Sequence, residues 1–154
     1  MPRRWAMSSP WLWRYLIDRR PWLETHLQPN FKGHIDPDLH YESLAFQRQR
    51  ARNRGMAGVF GCSWYYDPAL KDISPRLYAL RSSVYRLGGV IVDVSAHEDN
   101  MIDDALAKSE TRRQAYLHHT YQPKAFAAII PARPYKRLHG LYHRFRAPSY
   151  LVEL

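Results

Sequence analysis

Cysteine occurs once in the 154 residues, at position 62, so an intrachain disulfide is excluded and the chain suits a reducing compartment. Lysine is nearly as scarce. Only Lys32, Lys71, Lys108, Lys124 and Lys136 are lysines among 23 basic residues, which leaves 18 arginines. Near the N-terminus the longest uncharged stretch is Trp5–Trp13, interrupted by two serines and a proline. It is neither a secretory apolar region nor a membrane span of about 20 residues. The expectation is an unexported, cytoplasmic chain without a transmembrane segment. Internal repeats and low-complexity tracts are also missing. So are Gly-x-Ser-x-Gly, His-Glu-x-x-His, and any helix-turn-helix, zinc-finger or RNP pattern.

What is present bounds the fold. A hydrophobic content of 45% with 24% charged residues is ordinary for a folded chain. One domain over residues 1–154 accommodates it, with 1–20 as a packing segment in which Trp11–Ile17 adds a helix or an edge. The net charge of +9 is carried largely by arginine, which grips carboxylates and phosphates bidentately. An acidic partner, an anionic ligand or nucleic acid fits that bias. Substitution of arginine for lysine by a GC-rich genome fits it equally.

Short apolar runs alternate with longer amphipathic ones. Trp22–Leu27 alternates as a half-buried strand does, and Asp38–Arg54 reads as an Arg-rich helix started by Asp36-Pro37 and stopped by Gly55. Met56–Tyr66 is a second strand, closed by Asp67-Pro68. Ser74-Pro75 opens the next helix, the serine oxygen capping a backbone N–H and proline taking the first position. Leu77, Leu80, Val84 and Leu87 then form one stripe before Gly88-Gly89. Val90–Val94 is the third strand, Glu98–Thr120 is helical with a break near Ser109, and Lys124–Pro131 is the fourth strand. Pro134–Arg146 is a last, basic helix with Tyr135, Leu138, Tyr142 and Phe145 on one face. The order predicts an α/β fold: a single layered domain with a mixed sheet of about four or more strands covered by helices.

Gly61-Cys62-Ser63-Trp64 is the first place to look for chemistry. A papain-like thiol needs a helix directly after it and a distant histidine, whereas here a strand precedes and Trp-Tyr-Tyr-Asp-Pro follows. Cys62 is expected to be packed. Ser63 lacks the closing glycine of a nucleophile elbow, yet stands at a strand's carboxyl end, where α/β sheets bind ligands. Glu24 and His26 share one face of the first strand as a polar pair. Of the eight histidines only His139 and His143 share a helical face, among basic neighbours, so no metal is expected. Asp93, Glu98, Asp99, Asp103 and Asp104 start a helix favourably and face arginines. In the last helix Arg137, Arg144 and Arg146 are candidate anion-binding residues.

Two resemblances extend this reading. Gly61–Leu70 (GCSWYYDPAL), Ile73–Leu77 (ISPRL) and Lys108–Arg113 (KSETRR) resemble the signature of an uncharacterised bacterial family, which implies no activity. Ala79–Val90 is similar to the helix-then-strand segment of GCN5-related N-acetyltransferases, with Tyr85 four residues before Gly89. That resemblance implies an acyl-coenzyme A cofactor entering where the strand ending near Ser63 splays from its neighbour. It implies that Tyr85 protonates the leaving thiolate, that backbone groups near Cys62 and Ser63 hold the thioester, and that Glu24 or His26 helps the acceptor amine lose its proton. The family's pyrophosphate loop is missing between His26 and Asp38. Arg52–Ala57 (RNRGMA) matches it by letters and makes Arg54 the cofactor-binding candidate, although it lies where a helix ends. The expectation is therefore a divergent acyl-coenzyme A-dependent N-acyltransferase-like protein. The alternative is a non-catalytic basic module that binds nucleic acid or an acidic protein.

Overall fold

The structure is a computed structural model that describes residues 19–26, 36–95 and 101–133. The expected packing segment at Trp11–Ile17 and the expected last helix, with Arg137, Arg144 and Arg146, lie outside the described residues.

The fold is α/β, with one open, mixed, four-stranded sheet in the order β1-β2-β4-β3. Strand β1 (Leu23–Glu24) is parallel to β2 (Gly58–Ser63), and helix α1 (Pro37–Asn53) connects them. Strand β4 (Phe126–Pro131) lies antiparallel between β2 and β3 (Val90–Asp93). Three short helices follow β2: α2 (Leu70–Ile73), α3 (Pro75–Tyr78) and α4 (Leu80–Arg86). Helices α5 (Met101–Ala107) and α6 (Glu110–Leu117) lead into β4.

Helix α1 starts where its carboxylates predict. Asp36 accepts from the backbone N–H groups of Asp38 (2.8 Å) and Leu39 (3.1 Å), and Pro37 follows at the first helical position. Its end turns at Gly55, whose φ of 67° is the left-handed conformation that glycine tolerates best. Leu44 and Ala51 face the sheet. They join Val59 of β2, Leu80 and Val84 of α4, and Phe126, Ala128 and Ile130 of β4 in one apolar core. The ladder accounts for this grouping: Val59 pairs with Ile130 and Gly61 with Ala128, so alternate residues of both strands point to the same side.

The expected Leu77, Leu80, Val84, Leu87 stripe is present, with Leu77 half-buried and the others buried. The helix carrying it is divided. The Ala79 carbonyl accepts both the N–H (3.0 Å) and the hydroxyl (2.6 Å) of Ser82, a local tightening that separates α3 from α4. Gly89 is required by close approach, because a β-carbon there would lie 2.8 Å from the Ile129 carbonyl oxygen and 2.9 Å from Val84. The break predicted near Ser109 is a helix start: its hydroxyl accepts from the Arg112 N–H at 3.3 Å. One cap is not as predicted. Ser74 caps no helical N–H with its side chain, and its hydroxyl instead accepts from the Arg112 guanidinium at 3.1 Å. Among the described residues, no helix is long and apolar enough to cross a membrane.

Candidate functional site

The chain leaves β2 through a tight corner, and each residue of the Ser63–Asp67 run has a mechanical task there. The Ser63 hydroxyl accepts from the Tyr65 N–H (3.2 Å), which starts a single 3-10 turn at Trp64–Tyr66. Trp64 donates from its indole N–H to Asp104 Oδ2 at 2.9 Å, and the Arg112 guanidinium lies over its ring at 4.7 Å. Asp67, only 2% exposed, accepts from the N–H groups of Ala69 (2.9 Å) and Lys124 (3.1 Å). The corner is thereby fastened to the entrance of β4. Burial raises the Asp67 carboxyl above the usual aspartate range, and those two backbone bonds oppose the rise.

Arg112 is the meeting point of the Gly61–Leu70, Ile73–Leu77 and Lys108–Arg113 segments. It is buried, donates to the Ala105 carbonyl (2.6 Å) and to Ser74, and stacks on Trp64. The nearby Tyr121 hydroxyl is buried without a partner among the described residues. Burial raises its phenol, as does the Asp67 carboxylate, while Arg112 opposes.

Beside this corner is a cavity of about 200 Å³. The parallel pairing of β1 and β2 is short and carries as far as the Thr25 N–H, which donates to the Phe60 carbonyl at 2.8 Å. Beyond it His26 borders the cavity from one side and Cys62 and Ser63 from the other. Gly61 belongs to the seam, since a β-carbon there would lie 2.7 Å from Thr25 Cγ2. Helix α1 closes the cavity with His40, Ser43, Leu44 and Gln47, while Tyr66 and Asp104 complete the wall.

Cys62 requires a correction. It is half-buried and lines the cavity rather than being sealed in the core. The reason is register: Cys62 pairs with Ala127, out of phase with the Val59–Ile130 pair that points into the apolar cluster. Ser63 lines the cavity too, with its oxygen already serving as the cap of the turn. Glu24 and His26 do pair, at 3.0 Å, and both are exposed, with His26 alone reaching the cavity. Tyr85 does not line it. The Tyr85 hydroxyl accepts from Arg81 at 2.9 Å, and the same guanidinium donates to the Tyr66 carbonyl in the cavity wall. Arg54 caps α1 at the entrance of β2, roughly 17 Å of strand away from Ser63. The Asp36 carboxylate occupies the first turn of α1, so that helix end offers an anion no ready N–H cradle.

His40 and Tyr66 were not singled out by the sequence reading. His40 Nε2 lies 3.3 Å from the Tyr66 hydroxyl, and its Nδ1 is buried with no partner among the described residues. Burial pushes the imidazole down to about 4, so it is neutral at pH 7, and burial above all keeps the Tyr66 phenol protonated. A signal did exist. His40, Ser43 and Gln47 stand at i, i+3 and i+7 on the face that carries Leu44, where packing alone would call for apolar residues. Together the cavity offers a neutral imidazole, a phenol and a carboxylate, groups suited to proton transfer and to polarising a carbonyl. Among the described residues, no cluster of three or more His, Cys, Asp or Glu side chains is placed to hold a metal ion. No family model, curated protein or solved structure matches the chain.

Proposed function

We propose that this protein is a divergent acyltransferase that accepts an acyl-coenzyme A thioester at the mouth between β1 and β2 and passes the acyl group to an amine. The observation that carries this reading is the short parallel pairing of β1 and β2, with its backbone bond from Thr25 to Phe60, and the small cavity beside it. Entry of an extended ligand at this place is what the N-acetyltransferase resemblance of Ala79–Val90 implies. The cavity volume suits an acyl group and the end of its thiol arm rather than a whole coenzyme. Tyr85, the acid that the resemblance implies, lies outside the cavity and is joined to its wall through Arg81, so it acts by positioning that wall and the departing thiolate takes its proton from solvent. His26, partnered by Glu24, receives the proton of the acceptor amine. Because Asp36 fills the start of α1, the diphosphate falls to side-chain cations.

The test is thermal stability of the full chain with acetyl-coenzyme A, followed by a transfer assay on small amines. A ligand at one hundred times its Kd stabilises by about 2.7 kcal/mol, which is several degrees. Tyr85→Phe should keep the shift and lower turnover. An unchanged melting temperature with acetyl-coenzyme A sinks the reading.

A second reading rests on α1. Arg50, Arg52 and Arg54 are exposed at its end, a basic cluster suited to an acidic protein or nucleic acid. Binding of an oligonucleotide that weakens steeply with salt, in a protein indifferent to the thioester, would favour it.

A further inference from the structure

The chain carries a net charge of +9, yet its cavity runs against that charge. Among the described residues no lysine or arginine lines it. Helix α1 supplies His40, Ser43 and Gln47, all uncharged at pH 7, since burial holds the His40 imidazole neutral. His26 at the edge is already paired with Glu24 at 3.0 Å. The carboxylate in the wall is Asp104, in the first turn of α5.

Asp104 is exposed to water, but its setting is directed. Its Oδ2 accepts from the Trp64 indole N–H at 2.9 Å, and that indole is buried and stacked with the Arg112 guanidinium. A buried ring with one donor fixes where the carboxylate sits. Arg112 itself donates to the Ala105 carbonyl and the Ser74 hydroxyl, so its charge acts on Asp104 through space without occupying it. The second oxygen, Oδ1, has no hydrogen-bond or ion-pair partner among the described residues.

A carboxylate accepts several hydrogen bonds, and one indole N–H leaves most of that capacity unused. In a wall whose other described groups are neutral or already paired, the chemistry that completes it is a cation with N–H donors. A volume of about 200 Å³ keeps that cation small. We propose that Asp104 anchors a small organic ammonium ion in this cavity, with Oδ1 accepting one of its N–H donors. Naming that ion as the amine acceptor rests on the acyl-transfer reading above, whereas the cation site does not. Asp104 is then the residue that selects the acceptor: amines protonated at pH 7 are gathered beside the thioester, and alcohols of the same shape are not.

The full chain, labelled with nitrogen-15 at tryptophan, is titrated with n-propylamine, protonated at pH 7, and with 1-propanol, its neutral match in shape. The assigned Trp64 indole N–H resonance reports on Asp104 directly. It should move and saturate with the ammonium, and 1-propanol should bind about fivefold more weakly, the size expected of a carboxylate that water reaches. Asp104→Asn keeps an oxygen for Trp64 and removes the charge, so it should bind the two ligands equally, with a melting curve to establish that it is folded. Salt gives the same answer without a variant: in about 1 M sodium chloride the wild-type preference should shrink. Equal binding by the wild type overturns the proposal, as does a preference that survives Asp104→Asn or is indifferent to salt. Transfer assays separate the two readings. Acetyl transfer to n-propylamine, with its KM raised about fivefold in Asp104→Asn and the KM for acetyl-coenzyme A unchanged, supports both. Ammonium binding that Asp104→Asn weakens, without any transfer, supports the cation site and sinks the acyl-transfer reading alone.

Discussion

The core under the sheet and the corner beyond β2 are both buried, but they are held by different forces. Under the sheet, Leu44, Ala51, Val59, Leu80, Val84 and Ile130 present hydrocarbon to one another. At the corner, Trp64, Leu70, Ala105 and Tyr121 surround Asp67 and Arg112, which bond to backbone and side-chain partners in fixed directions. Contact area tolerates exchange between side chains of similar volume, whereas directed bonds specify one geometry and leave costly orphans when a partner is lost. The apolar core therefore sets where the strands and helices lie, and the corner sets the shape of the cavity.

Three measurements would break or sharpen that contrast. The largest effect should come from the core. Leu80→Ala removes a fully buried side chain and should cost about 2–5 kcal/mol in urea unfolding, with Leu80→Met below about 1.5 kcal/mol. A corner substitution that costs more than Leu80→Ala would reverse the contrast.

Acid should come next, and it acts at the cavity. The folded His40 imidazole titrates at about 4, below its ordinary 6.5, so the unfolded chain binds more protons between those values. Stability from this group is complete above about pH 6.5 and falls as the pH drops towards 4, by roughly 2–3 kcal/mol. His40→Asn should flatten that slope, and an unchanged pH profile would show that another group governs it.

The smallest effect belongs to Arg112→Lys. An ammonium can keep one of the two directed bonds and loses the flat stack on Trp64, so about 1–2 kcal/mol should be lost. A neutral result would mean that the corner is held by area as the sheet core is.

Local pattern carried most of the elements. The period of 3.6 at Leu77, Leu80, Val84 and Leu87 marks the buried face of α3 and α4, and Asp36-Pro37 and Ser109 mark helix starts, because those signals lie within a few residues of one another. The insertion of β4 between β2 and β3 had no such signal, since strand direction depends on partners far along the chain. The same distance hid the cavity: His40 and Tyr66 meet across 26 residues, and Ser74 gives its hydroxyl to Arg112 across 38. Cys62 was misjudged because its surroundings depend on which face the register turns towards Ala127.

The bond between Asp67 and the Lys124 N–H spans 57 residues, and it makes the corner depend on the most distant part of the described sheet. Helix α1 and the capped turns can form early from nearby sequence. The wall around His40 and Tyr66 depends on a contact with a strand far along the chain, and closing so long a loop carries an entropic cost that local turns do not. A fragment ending before residue 124 would possess every side chain named for the cavity and still lack the clasp that holds them in place.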